Sequence, residues 1–246
     1  MTTVALIDGD VLCYEGGFAS DAGARAQGMP HEPLSFCLNG VKEKINSLRN
    51  IVEADDVLIF LSNPATGYRV EAFPEYKANR DPTHRPHWYK EIKEYLLDKH
   101  QAVLSEPGDE ADDALGIAQT EMIKEGAYMP VLCTKDKDLD MIPGWHYNWS
   151  KNRKDNGLYY VNELEANKIF YKQVLTGDST DNIPGMFKIL GKKATAKWRS
   201  PIDDMHTEKE MYEYVLGVYK DSHIVQQIAN LVWIKRGVGV GWSVPS

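Results

Sequence analysis

The sequence predicts an α/β fold: a mostly parallel central sheet with helices on both faces, followed by a helical carboxyl-terminal region. Three observations carry this. Apolar runs of strand length alternate with longer stretches of helical spacing, the pattern of consecutive βα units. The apolar runs often end in or just before an acidic residue, as strands do that present a carboxyl end to a ligand crevice. And 246 residues with 43% hydrophobic content suit one large α/β domain with a small helical appendage.

Val4-Ala-Leu-Ile-Asp8 is a short apolar run closed by an acid and reads as a buried strand. Residues 34–51 place Leu38, Val41, Ile45 and Leu48 at helical spacing, and 57–61 form a second buried strand. Residues 63–85 are irregular, punctuated by Pro64, Pro74 and Pro82, with Pro86 just beyond. A helix over 87–99 and a third strand over 102–104 follow. Pro107-Gly108 then turns the chain into a helix running to about Lys124, whose first turn holds Asp109, Glu110, Asp112 and Asp113. A fourth strand, 129–133, ends just before Asp136. Residues 155–161 read as a small hairpin or edge strand. From Glu163 onward the chain is mainly helical, with a loop at 177–185 and an irregular tail at 237–246.

Nothing resembles a signal peptide or a membrane span, since the start lacks a basic segment and the apolar runs are too short. Cys13, Cys37 and Cys133 form an odd, scattered set without a CxxC pair, as expected of reduced thiols in a cytoplasmic protein. The net charge of −8 argues against a nucleic-acid partner until its distribution is considered. Residues 186–199 contain Lys188, Lys192, Lys193, Lys197 and Arg199 and no acid, and residues 76–93 are also rich in basic groups. Local concentration outweighs the sum.

Eight of the 36 acidic residues fall in four clusters: Asp8, then Glu110-Ala-Asp112-Asp113, then Asp136-Lys-Asp138, then Asp178-Ser-Thr-Asp181. Singly, each has an ordinary reading as a helix cap, a dipole partner or a solvated turn. Jointly, at predicted ends of one sheet, they would repel and take up protons unless cations bind among them. Mg²⁺ or Mn²⁺ is the natural counter-charge for an all-oxygen site. Two such ions side by side hydrolyse phosphodiesters, so the clusters point to a metal-dependent nuclease.

Five stretches together resemble the flap endonuclease or 5′-nuclease superfamily, which includes stand-alone bacteriophage 5′-3′ exonucleases and the 5′-nuclease domain of bacterial DNA polymerase I. They are Leu6-Ile-Asp8-Gly9, Phe73-Pro-Glu-Tyr76-Lys77-Ala-Asn79-Arg80, Pro107-Gly-Asp-Glu110-Ala-Asp112-Asp113, Thr134-Lys-Asp136-Lys-Asp138-Leu, and Leu175-Thr-Gly-Asp178-Ser-Thr-Asp181-Asn182-Ile-Pro184-Gly185. The resemblance implies a PIN-like 5′-nuclease core over 1–160 with a helical arch at about 63–100. It implies a helical region over 161–246 that carries a helix-three-turn-helix-like element and completes the metal site. By similarity, Asp8, Glu110, Asp112, Asp113 and Asp136 form or support a first metal site, and Asp138, Asp178 and Asp181 a second. Lys77 and Arg80 then neutralise charge growing on the phosphate, and Tyr76 stacks on the terminal base. The implied enzyme is a free-standing, monomeric 5′-3′ exonuclease and flap endonuclease acting on 5′ ends, flaps and nicked duplex DNA, and on RNA–DNA hybrids, in replication or primer removal.

Two departures stand out. Relatives carry a further acid after the second strand, where this chain has Ser62-Asn63, so water or Asn63 replaces a ligand there. The glycine-rich turn after Asn182-Ile-Pro-Gly185 keeps only Gly185 and Gly191, leaving Lys188, Lys192 and Lys193 to grip duplex phosphates by charge. Arg69 and the basic groups of the arch also read as simple solvating charges, and Asp10 is not required by the family pattern. Two other classes share some of these features: a PIN-type ribonuclease, and a junction-binding relative that no longer cleaves.

Overall fold

The apolar run at the start of the chain is buried on both faces, as the centre of a parallel sheet requires. In a computed structural model, which describes residues 1–63, 65–81, 83–150 and 157–245, it forms β1 (Thr2–Asp8). The chain continues through α1 (Gly9–Ala26), α2 (Leu34–Ile51), β2 (Asp56–Leu61), α3 (Tyr68–Ala72), α4 (Tyr89–His100), β3 (Val103–Leu104) and α5 (Ala111–Glu125). β4 (Tyr128–Thr134), β5 (Gly144–Asn148) and β6 (Leu158–Val161) follow. The last region holds α6 (Glu163–Thr176), α7 (Met186–Leu190), α8 (Ala196–Arg199), α9 (Glu208–Tyr219) and α10 (Ser222–Val232).

The six strands form one sheet in the order β3-β2-β1-β4-β5-β6. Neighbours are parallel except β5 and β6. The predicted fold class therefore holds. One face is covered by α1, α2 and α4 around Ile7, Leu48, Ile59 and Leu96. The other is covered by α5, with Leu6, Leu115 and Leu132 in contact. A further apolar cluster joins α6, α9 and α10 through Phe170, Tyr171, Val215 and Ile228. The three cysteines are buried and free. Among the described residues no helix is long and apolar enough to cross a membrane.

Three elements lie beyond the sequence reading, the first being the short helix α3, which stands within the stretch expected to be irregular. α1 carries Gly9, Gly16, Gly17 and Gly23, which weaken its helical signature. Its buried face is made of Leu12, Cys13, Gly17, Ser20 and Ala24 instead of a stripe of large apolar groups. β5 has no apolar run of its own and is fixed by pairing with β4 on one side and β6 on the other. The anticipated edge strand is β6; Asp155 and Asn156 lie outside the described residues.

The strand order places a functional crevice. The chain leaves β1 toward β2 on one side and later returns to β4 on the other. Such a reversal opens a gap beyond the carboxyl ends of the central strands. Gly9 makes the gap tight: a Cβ there would lie 2.6 Å from the Phe60 carbonyl oxygen, so only glycine lets α1 start directly against β2.

Candidate active site

A cleft of about 1040 Å³ opens at this reversal. Asp8, Glu110, Asp112, Asp136, Asp138, Asp178 and Asp181 all line it. Asp8 ends β1 and caps α1, accepting from the Val11 N–H at 3.0 Å. Its other oxygen accepts from Thr134 Oγ1 at 2.8 Å, at the end of β4. Thr134 Oγ1 in turn accepts from the Asp136 N–H at 3.0 Å, and Asp136 accepts from the Asp138 N–H at 2.8 Å. Gln173 of α6 donates to Asp138 at 2.9 Å, tying the helical region to the cleft floor. The 178–181 loop closes through paired backbone bonds between Asp178 and Ile183. Gly177 stands at φ +66°, and a Cβ there would meet the Ile183 carbonyl oxygen at 2.5 Å.

Gathering these acids costs free energy in their ionised forms. Burial, reinforced by the charges of Asp10 and Asp136, pushes Asp8 up to about 7 against the opposing bonds from Val11 and Thr134. Burial and then Asp8, Asp136 and Glu110 hold Asp112 well above the carboxylate range. Burial and the charges of Asp181 and Asp178 raise Asp136. Burial and Asp136 push Asp138 up to about 6. An all-oxygen, anionic donor set of this kind fits hard divalent cations. Among the described residues no three carboxylate, imidazole or thiol groups are clustered closely enough to hold an ion unaided. Because these pKa values are raised on folding, the folded chain binds more protons than the unfolded one. Its stability therefore falls as pH rises through the window from about 4 to about 7. Thermal melts in EDTA should show this decline, and millimolar Mg²⁺ should flatten it; a pH-independent melt in EDTA would contradict the assignment.

Two cations stand on the rim. Lys77 Nζ lies 2.5 Å from Glu110 and 3.5 Å from Asp181, and Arg80 pairs with Asp181. Lys77 adopts φ +56°, and its N–H donates to the Asp181 carbonyl at 2.9 Å. A non-glycine residue held there stores about 1–3 kcal/mol, a cost that recurs at functional sites.

Several expectations need correction. Tyr76 does not face the cleft: its ring is buried in the carboxyl-terminal apolar cluster. Its hydroxyl reaches Glu110 at 3.1 Å and Asp181 at 3.3 Å, so it braces two acids from beneath instead of stacking on a base. Tyr14 and Tyr89, with ring centroids 4.9 Å apart, stand on the cleft wall in its place. Asp113 also points away, fully buried against Arg69 with bonds of 2.7 and 2.9 Å. Burial would raise its pKa, but the guanidinium outweighs this and holds it below the usual range. Arg69 is thus no solvating charge. Asn63 is no substitute ligand, because its side chain bonds the Ser105 carbonyl and the Ala65 N–H. Ser62 does line the cleft, beside Asp10, which the family pattern had left out. The two acids of Asp8-Gly9-Asp10, separated by a single residue, are the available signal. Lys188, Lys192 and Lys193 lie exposed on α7 and the turn after it.

Comparison with known proteins finds a matching family and a matching fold. The family model described as "5′-3′ exonuclease, N-terminal resolvase-like domain" matches residues 3–164. The chain is 30% identical over 212 residues to the thermostable DNA polymerase I of Thermus aquaticus, covering 79% of this chain and 23% of that protein. It is 28% identical over 200 residues to a 5′-3′ exonuclease of Buchnera aphidicola, covering 78% and 68% of the two chains. The chain therefore spans about a quarter of the length of the polymerases it matches. Two solved structures share the fold. A bacteriophage T5 protein co-crystallised with metal ions superposes with TM-score 0.64 and 19% identity, over 94% of this chain and 88% of that one. The T5 flap endonuclease in a pseudo-enzyme-product complex with DNA and metal ions gives 0.63 and 18%, with the same coverage.

Proposed function

Since this chain belongs to the 5′-3′ exonuclease family through its N-terminal resolvase-like domain, we propose that it is a divalent-cation-dependent nuclease that hydrolyses phosphodiesters at 5′ ends of DNA. Its modes are 5′-3′ exonuclease and flap endonuclease, extending to RNA–DNA hybrids. The observation that carries this is the convergence of acids from four separated segments on one cleft whose rim holds Lys77 and Arg80.

Asp8, Asp112 and Asp136 would hold one Mg²⁺ or Mn²⁺, and Asp138, Asp178 and Asp181 a second. When bound, such ions supply Lewis-acid stabilisation at the phosphate and lower the pKa of water. The chain's own groups do the rest. Lys77 and Arg80 neutralise Glu110 and Asp181 in the free protein and turn to the phosphate oxygens when substrate enters. Tyr14 and Tyr89 offer ring faces to bases beside the cleft. Lys188, Lys192 and Lys193 bind duplex phosphates beyond it, next to Trp198, whose ring Lys192 approaches at 6.0 Å.

Product mapping on end-labelled blunt, nicked and flapped duplexes, with and without Mg²⁺, tests the reading. Short products from the 5′ end, absent in EDTA, are expected; cleavage confined to single-stranded RNA would replace this reading with that of a ribonuclease. Lys77→Ala should lower kcat much more than it raises KM, because its charge is needed most as the phosphate gains charge. Equal effects on both would make it a ground-state contact. Replacing Lys192 and Lys193 together by alanine should weaken duplex binding and reduce the slope of log K against log salt by up to about two. An unaltered slope would take that patch off the binding surface.

A further inference from the structure

The carboxylate of Asp10 stands in the same cleft as Asp8, on the first turn of α1. Its two oxygens share the N–H of Ser62 at 3.4 and 3.3 Å, long for a charge-assisted bond. Among the described residues no lysine or arginine forms an ion pair with it. Ser62 is itself fixed: its Oγ accepts from the Ala111 N–H at 2.9 Å, and its carbonyl accepts from Lys93 Nζ at 2.8 Å. Ala111 sits between Glu110 and Asp112. Asp10 is therefore tied, through one residue, to the helix start that positions two other acids of the cleft. The simplest alternative is that Asp10 only complements the amino-terminal dipole of α1. That role does not require it to face a cleft already crowded with carboxylates, beside a neighbour, Asp8, that it repels.

We infer that Asp10 is a further cation-binding residue of this cleft, supplying a carboxylate, directly or through water, at the place where Ser62 follows β2. This rests on the cation-dependent reading above. It also accounts for a chain whose second strand ends in Leu61-Ser62-Asn63 with no acid: the carboxylate reaches that position from the neighbouring helix instead.

Isothermal titration of the whole chain with Mn²⁺, without nucleic acid, tests the inference. Asp10→Asn should weaken Mn²⁺ binding by about tenfold or more, the scale on which groups around a metal act. Its melting temperature in EDTA should stay level or rise, because a like charge has been removed. Asp10→Ser, which keeps an oxygen acceptor on the first turn, should show the same loss and so separates cation binding from helix stability. Adding Ser62→Asp to Asp10→Asn should restore much of the affinity. Isotherms for Asp10→Asn and Asp10→Ser that superimpose on that of the unaltered chain, while Asp112→Asn weakens binding, would overturn the role of Asp10 alone. If Asp112→Asn is also without effect, the cation-dependent reading falls with it.

Discussion

Asp112→Asn and Asp136→Asn should each lower cleavage by at least roughly 10²–10³-fold, the scale on which removing one charge-stabilising group acts, while leaving DNA binding nearly intact. Both carboxylates face the cleft, and among the described residues neither has an ion-pair partner. Asparagine preserves shape: at 136 its amide oxygen can still accept the Asp138 N–H that Asp136 holds at 2.8 Å. What it removes is one unit of the negative charge that makes the cleft a cation site. Binding of a polyanion should not suffer when an acid is neutralised. Single-turnover cleavage of a 5′-flapped duplex in Mn²⁺, beside anisotropy of the same labelled substrate, separates the two quantities. Undiminished turnover in both variants would remove these residues from the chemistry, and an unaltered protein that binds but never cleaves would favour a junction-binding relative.

The second large effect lies behind the cleft. Arg69→Met should destabilise the chain by about 3–5 kcal/mol, the cost of leaving a buried charge without its partner. Arg69 is 4% exposed and Asp113 fully buried. Beyond the two bonds to Asp113, the guanidinium donates to the carbonyls of Leu231 at 3.1 Å and Trp233 at 2.5 Å. Asp113 also accepts from the N–H groups of Glu110 and Lys235, both at 3.1 Å. One ion pair thus joins α3, the start of α5 and the segment after α10. Urea unfolding measures the loss. Adding Asp113→Leu should recover much of it, since the stranded carboxylate is then gone. A loss below about 1 kcal/mol would put this pair in the class of exposed salt bridges. Asp113 contributes stability that is present above the ordinary aspartate pKa and lost as pH falls through its lowered folded value, the reverse of the cleft acids.

The same turn of α5 shows where the sequence runs out. Asp112 and Asp113 are adjacent and chemically identical, and the resemblance assigned both to the metal site. Successive residues on a helix point about 100° apart, so one carboxylate faces the cleft and the other faces inward. Which is which depends on Arg69, 44 residues away in sequence. Tyr76 follows the same logic: its neighbour Lys77 reaches the rim while its own ring is taken into an apolar cluster assembled from α6, α9 and α10. α1 leaves little trace in the sequence because its buried face is made largely of glycine and small side chains, which carry no periodic apolar signal.

The sequence alone determined the alternation of strands and helices, and with it a parallel sheet whose strand ends carry acids. Those properties are local: strand-length apolar runs, turn residues and clustered charge act over a few neighbours. Tertiary structure alone decided which acids share the cleft, that Lys77 and Arg80 meet Glu110 and Asp181 there, and that Asp10 joins Asp8 while Asn63 turns away. The direction of a side chain is set by what packs against its helix or strand, and those partners come from distant parts of the chain.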